Sequence, residues 1–126
     1  MESIILVLPT PFLPMKQLIC LANVEIQVPT NVKFSSYVFS GCKKLKSLEG
    51  CPQKVSKNFY CNVCTNLNSL KGCPEEVGES FYCDECKNLK SLKGGPQKVG
   101  KDFDCGYCKN LKSLEGCPKE VGGSFY

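Results

Sequence analysis

Apolar residues recur through most of this chain with a period of 22 residues. Leucines, phenylalanines and cysteines share this spacing, at Leu45, Leu67, Leu89 and Leu111, at Phe59, Phe81, Phe103 and Phe125, and at Cys61, Cys83 and Cys105. Written once, the unit is L-x-S-L-x-G-(C/G)-P-x-x-V-x-x-x-F-x-C-x-x-C-x-N. A fixed period of this length is typical of a solenoid, in which each unit buries its apolar side against its neighbours.

Within one unit, the pattern predicts where strands and turns lie. The F-x-C segment alternates apolar and polar positions, which predicts a short strand with Phe and Cys pointing inward. Strands of consecutive units would lie parallel, about 4.8 Å apart. Gly and Pro follow the L-x-S-L segment too closely for a useful helix. We therefore predict a β-rich solenoid, a stack of parallel short strands with turns and extended chain on the outer side.

The repeat also predicts the boundaries of the two parts of the chain. Residues 1–31 do not follow it, and we expect them to form an N-terminal cap, with a binding arm as the alternative. Inside this segment, 15–22 favours a short helical turn and 24–28 alternates like a strand. The solenoid is expected to cover 32–126. It divides into a degenerate unit at 32–44, full units at 45–66, 67–88 and 89–110, and a partial unit at 111–126.

The repeat resembles a known family of solenoids. The stretch F-D-C-G-Y-C-K-N-L-K-S-L at 103–114 is similar to the leucine-rich repeat L-x-x-L-x-L-x-x-(N/C)-x-L, with Phe103 and Cys105 in the L-x-L places and Cys108 in the N/C place. The spacing before Phe103 and the corner after Cys108 each carry one extra residue. The whole unit resembles the short cysteine-containing leucine-rich-repeat-like proteins found in phage and bacterial genomes. This resemblance implies a stacked fold and, for a phage protein, a host factor as target, but fold does not determine function.

Composition argues against catalysis. The 126 residues include 16 Lys and Arg, 12 Asp and Glu and no His, for a net charge of +4. Without His, the commonest acid–base side chain is missing and the recurring serines have no base to activate them. No apolar run is long enough for a membrane span or a signal peptide. We expect a non-enzymatic protein without a cofactor, in a reducing compartment such as the cytoplasm, with most of its 11 cysteines free.

Three C-x-x-C pairs repeat at the same interval, namely Cys61/Cys64, Cys83/Cys86 and Cys105/Cys108. Two such pairs have the spacing of a tetrahedral zinc site, but three pairs leave one without a partner. Phe39 stands where the first cysteine of a pair belongs, and Gly95 replaces cysteine in another column. These substitutions favour cysteine as a small buried filler, and no metal ligand is assigned. A zinc-binding protein and a disulfide between stacked units are the alternatives.

The outward side of the strand supplies the candidate partner-binding residues. Side chains between Phe and Cys face away from the core. These outward positions hold Tyr60, Tyr82, Asp104 and Tyr126, and the candidate residues beside them are Asn62 and Asp84. Because tyrosine offers a large amphipathic contact area at low entropic cost, we expect this face to dock a protein. The alternative is that stacked tyrosines only support packing between strands.

Lysines form two further columns after the strand, at Lys43, Lys87 and Lys109 and at Lys46, Lys90 and Lys112. A solvated face is the simplest interpretation, and it favours an acidic region on the partner. Nucleic acid is disfavoured because no aromatic residues interleave with these lysines.

The partial unit suggests a second function. It ends at Phe125 and Tyr126 without a polar cap, which makes these two residues candidates for self-association. A self-assembling structural protein, as a dimer or a head-to-tail filament, is therefore the alternative to a module that binds another protein, and a homo-oligomer is expected.

Overall fold

The computed structural model describes residues 36–126 and, before them, two strands. Strand β1 spans Ile4–Val7 and strand β2 spans Val24–Gln27. The two strands pair in parallel, with Ile4 opposite Val24. The strand expected at 24–28 is confirmed, whereas the helical turn expected at 15–22 lies outside the described residues. The role of 1–31 as a cap or a binding arm stays a prediction.

From residue 36 onward the chain is a β-solenoid of about four turns, as predicted. The strands of the F-x-C segments form one parallel sheet, which we call the first sheet. It contains β3 (Tyr37–Val38), β5 (Phe59–Tyr60), β7 (Phe81–Tyr82) and β9 (Phe103–Asp104). Phe59 lies opposite Phe81, and Phe125 bridges to Phe103 in the same register. The 22-residue period is therefore the length of one coil.

A second parallel sheet lies where the sequence predicted only turns and extended chain. It contains β4 (Lys54–Val55), β6 (Glu76–Val77), β8 (Lys98–Val99) and β10 (Glu120–Val121). Each strand is two residues long and contributes one inward-facing valine, which is too short for an alternating pattern to reveal it. Each full coil thus gives one strand to each sheet.

The core consists of columns of identical side chains stacked from coil to coil. Phe59, Phe81 and Phe103 are fully buried, and the valine, leucine and paired-cysteine columns pack in the same cluster. The Phe81 ring stacks on Phe59 at a centroid distance of 5.2 Å and on Phe103 at 5.4 Å. The prediction that the recurring aromatic and sulfur side chains fill the axis of the coil is confirmed.

Opposite charges on neighbouring coils match each other along three columns of the solenoid. Between residues 36 and 126, five lysine–glutamate pairs at 3.3–3.7 Å join coils, and all of them link positions 22 apart: Lys54–Glu76, Lys71–Glu49, Lys93–Glu115, Lys98–Glu120 and Lys101–Glu79. Because these side chains are largely exposed, each pair contributes at most about 1 kcal/mol. Their main effect is to favour one stacking register over a shifted one.

Candidate partner-binding face

The outward column of the first sheet presents two stacked tyrosines. The rings of Tyr60 and Tyr82 lie 5.0 Å apart with an angle of 8° between their planes. Both side chains are partly exposed, while Phe59 and Phe81 on the alternate positions are fully buried. Tyr126, at the end of the same column, is 62% exposed. The predicted outward orientation of this column is confirmed.

A ladder of small polar side chains flanks the column on one side and fixes the backbone beneath it. The Asn58 side-chain oxygen accepts the N–H of Ser80 at 3.0 Å, and the Ser80 hydroxyl accepts the N–H of Asp102 at 3.2 Å. Asp102 in turn accepts the N–H of Ser124 at 2.8 Å. These side chains satisfy backbone donors of the next coil, so this flank links the backbones of successive coils.

The other flank carries the remaining candidate residues. Asn62 accepts a hydrogen bond of 2.6 Å from the Ser40 hydroxyl, and Asp104 accepts the N–H of Gly106 at 2.8 Å. Burial raises the pKa of Asp84, and the nearby negative charges of Asp104 and Glu85 raise it further against a backbone hydrogen bond that lowers it. The stacking thus brings acidic side chains of two coils together beside the tyrosines.

The lysine columns differ from the lysines of the inter-coil ion pairs. Their members, Lys43, Lys46, Lys87, Lys90, Lys109 and Lys112, are exposed, and none is among the ion-paired lysines between residues 36 and 126. Side-chain amides of Asn66 and Asn110 donate to the carbonyls of Lys43 and Lys87 at 2.6 and 2.7 Å. The corner that follows the strand is therefore a defined turn with an excess of positive charge, which we call the lysine corner.

Between the strand and the lysine corner, one residue in each of three coils has a left-handed backbone conformation. Val63, Glu85 and Tyr107 have φ values of 57°, 55° and 56°, and Gly41 takes the same place with 73°. Such a conformation costs a residue other than glycine about 1–3 kcal/mol. The N–H of Val63 donates to the backbone carbonyl of Asp84 at 2.9 Å, and that of Glu85 to the backbone carbonyl of Gly106 at 2.8 Å. Hydrogen bonds between coils therefore help to hold the strained turn.

The second cysteine of each C-x-x-C pair caps the preceding coil. The thiols of Cys64, Cys86 and Cys108 donate to the carbonyls of Phe39, Cys61 and Cys83 at 3.1, 3.1 and 3.2 Å. Burial raises the pKa of Cys86 to about 12 and of Cys105 to about 11. The thiols of Cys86 and Cys105 are therefore protonated at neutral pH. Among the described residues, no group of three or more Cys, Asp or Glu side chains is arranged to hold a metal ion.

Nine cysteines from Cys51 to Cys117 are free thiols, in line with the expectation that most are reduced. Cys42 differs, because it is disulfide-bonded. A disulfide was only an alternative on the sequence; the one feature that distinguishes Cys42 in its column is Phe39, which stands where the other members have a C-x-x-C partner.

Native-state alkylation is expected to separate these thiols by their burial. At pH 8, Cys117, which is exposed, should react quickly. Cys61 and Cys83 should react at least about 100-fold more slowly, because burial raises the pKa of both and the thiolate is the reactive form. Mass spectrometry after a timed iodoacetamide pulse measures the difference, and a denatured sample is the control. Equal labelling of Cys61 and Cys117, or stoichiometric zinc in the purified protein, would contradict the filler interpretation.

The last described coil exposes apolar side chains that inner coils bury. Leu114 is 53% and Phe125 42% exposed, whereas Leu92 and Phe103, their counterparts one coil earlier, are fully buried. One face of the Phe125 ring stacks on Phe103 at 5.1 Å. The residues proposed for self-association, Phe125 and Tyr126, therefore lie on a partly apolar surface.

A groove of about 750 Å³ runs along the second sheet and was not expected from the sequence. Glycines 78, 100 and 122 and alternating lysines and glutamates line it. Since Lys54 pairs with Glu76 and Lys98 with Glu120, the charges along this groove are largely balanced within the chain. The V-G dipeptides were the only sequence signal for it.

Comparison of the chain with protein-family models, curated proteins and solved structures finds no match. Within the described residues, no helix has the length and hydrophobicity required to span a membrane. The function is therefore inferred from the geometry of the chain's own residues.

Proposed function

We propose that the chain is a non-enzymatic protein-binding module that docks a partner protein on the outward face of the first sheet. The observation that carries the proposal is the stacked pair of Tyr60 and Tyr82, at 5.0 Å and 8°, on a parallel sheet. Tyrosine is enriched at the centres of protein interfaces because it buries a large area with few rotatable bonds. A pair that is already ordered loses little further entropy when a partner covers it.

Packing between strands does not account fully for these tyrosines. A stacked pair on a sheet contributes roughly 0.2–1 kcal/mol. The core beneath them is complete without their rings, since Phe59, Phe81 and Cys61 are fully buried. An exposed aromatic pair that the core does not require is better explained by contact with another molecule.

The lysine corner next to this face favours a partner that has an acidic region near its contact surface. Unpaired positive charges accelerate encounter with a negative surface and make the association rate depend on salt. At physiological ionic strength the effect extends about 8 Å, so it acts on the part of the partner that lies beside the tyrosines.

A double substitution of the two tyrosines tests the proposal. Tyr60→Ala with Tyr82→Ala is expected to weaken partner binding at least tenfold, because the central aromatic contact is lost. Tyr107→Ala is the matched control, since Tyr107 is 85% exposed but lies on the corner and not on the strand. The partner is first identified by cross-linking in native extract. Its affinity for the unmodified chain, the double variant and the control is then measured by calorimetry. Equal affinity of the double variant and the control would reject this face as the docking surface.

Self-association through Phe125 and Tyr126 stays a prediction. The exposure of Leu114 and Phe125 on the last described coil favours it, because these side chains are apolar and their counterparts are buried.

A further inference from the structure

The tyrosine column of the first sheet is interrupted at one coil. Tyr82 lies opposite Asp104, and the bridge between Phe103 and Phe125 places Tyr126 next in the same column. Tyr60 fills the place on the other side of Tyr82, with ring stacking at 5.0 Å. Aspartate has no ring, so the space between Tyr82 and Tyr126 lacks one aromatic layer. We call this space the Asp104 slot.

The spacing of the coils gives the width of the slot. The phenylalanine rings beneath it step by 5.4 Å from Phe81 to Phe103 and by 5.1 Å from Phe103 to Phe125. Tyr82 and Tyr126 are two such steps apart, about 10 Å, so a group midway between them is about 5 Å from each. A cation within about 6 Å of an aromatic centroid is attracted to the ring. The width therefore suits one cationic group.

Negative charge lies in the slot and on the flank beside it. One carboxylate oxygen of Asp104 is held by the N–H of Gly106 at 2.8 Å, which fixes the side chain. Asp84 and Glu85 lie close enough for their charges to act on one another, and this repulsion adds to burial in raising the pKa of Asp84. Within 36–126, none of these three carboxylates belongs to an ion pair with a lysine. A bound cation would relieve the repulsion among them.

We propose that the Asp104 slot binds one arginine side chain of the partner protein. The guanidinium group combines the features that the slot selects, since it is planar, stacks on aromatic faces and donates paired hydrogen bonds to a carboxylate. The inference rests on the proposed function and adds the chemistry of one contact. The partner would then place a basic residue on the strand face and an acidic region over the lysine corner.

A titration with a short peptide tests the slot without knowledge of the partner. The full chain, labelled with ¹⁵N, is titrated with acetyl-Gly-Gly-Arg-Gly-Gly-amide and with the same peptide carrying neutral citrulline in place of arginine. The arginine peptide is expected to shift the amide resonances of Tyr82, Asp104, Gly106 and Tyr126. Its affinity should exceed that of the citrulline peptide at least tenfold, because citrulline keeps the shape but not the charge. Equal affinity of the two peptides would overturn the proposal.

Asp104→Tyr is the decisive variant because it continues the tyrosine column that the chain already builds at positions 60 and 82. It is expected to remain folded, as shown by an unchanged far-UV spectrum, and to lose at least tenfold in arginine affinity. Tyr107→Leu is the control, since it removes an exposed tyrosine that lies on the corner and not in the strand column, and it should change the affinity less than twofold. Full arginine binding by Asp104→Tyr would overturn the proposal.

The two proposals fail in different ways. Loss of partner binding in the Tyr60/Tyr82 double variant, together with no preference for the arginine peptide, would overturn the slot and leave the docking face standing. Arginine binding at the slot, together with partner binding that is unchanged in the double variant, would reject the docking face and leave the slot as an arginine site that this partner does not use.

Discussion

Phe81→Ala is expected to lower the free energy of unfolding by about 3–5 kcal/mol, the range for removing a buried aromatic ring. The Phe81 ring is fully buried and stacks on both neighbours, at 5.2 Å from Phe59 and 5.4 Å from Phe103. In a solenoid each coil is stabilised only by the coils next to it. A cavity in a central coil therefore weakens two interfaces at once. The expected loss is a large part of the 5–15 kcal/mol that stabilises a typical domain.

Phe125→Ala is the matched control, because it removes the same ring from the same column. Phe125 is 42% exposed and stacks only on Phe103, at 5.1 Å. We expect a loss of about 1–2 kcal/mol, since less apolar area is returned to water and no closed cavity is left. Urea unfolding followed by circular dichroism measures both variants. A loss at Phe81 no greater than that at Phe125 would show that the phenylalanine column does not form the core.

The period and the inward columns could be read from the sequence because each coil repeats the same residue types. Phe59, Phe81 and Phe103 occupy one column, and the register between their strands equals the period. Even the degenerate unit follows this rule, since Tyr37, which stands 22 residues before Phe59, lies opposite it. Identical side chains at a constant spacing leave one arrangement in which all of them are buried.

The second sheet and the left-handed corners could not be read in the same way. The strand at Glu76–Val77 has one inward side chain, so no alternation marks it. At the corner, Val63 adopts a φ of 57°, which valine by itself disfavours. Hydrogen bonds between coils override that preference, and the residues adjacent to Val63 in the sequence do not reveal these bonds. Identity of repeat family, by contrast, stays a prediction for this chain.

The candidate site was predictable in its orientation but not in its charge. Alternation along the strand placed Tyr60 and Tyr82 outward, and the structure confirms it. The proximity of Asp84 and Asp104 depends on the stacking of two coils, since 20 residues separate them in the sequence. The distinction between ion-paired lysines and the lysine corner likewise depends on which side chains meet between coils.

Gly100→Ala is expected to destabilise the solenoid by about 3 kcal/mol or more, although it adds a single methyl group. A Cβ atom at Gly100 would overlap the carbonyl oxygen of Gly78 on the previous coil. That oxygen belongs to the backbone, and the adjacent hydrogen bond from Gly100 N–H to Val77, at 2.9 Å, holds the two coils together. The methyl group can be accommodated only if the coils separate, which breaks the second sheet at this point.

Gly106→Ala is the control for the added methyl group. A Cβ atom there would meet only the Asp104 carboxylate, at 3.1 Å, and a side chain of that kind can move aside. We expect a change within about 1 kcal/mol, in the same urea experiment. Equal stability of the Gly100 and Gly106 variants would mean that the coils are not in backbone contact along the second sheet. A large loss at Gly100 alone would explain why glycine follows Val77, Val99 and Val121, since the approach of stacked backbones leaves no room for a side chain.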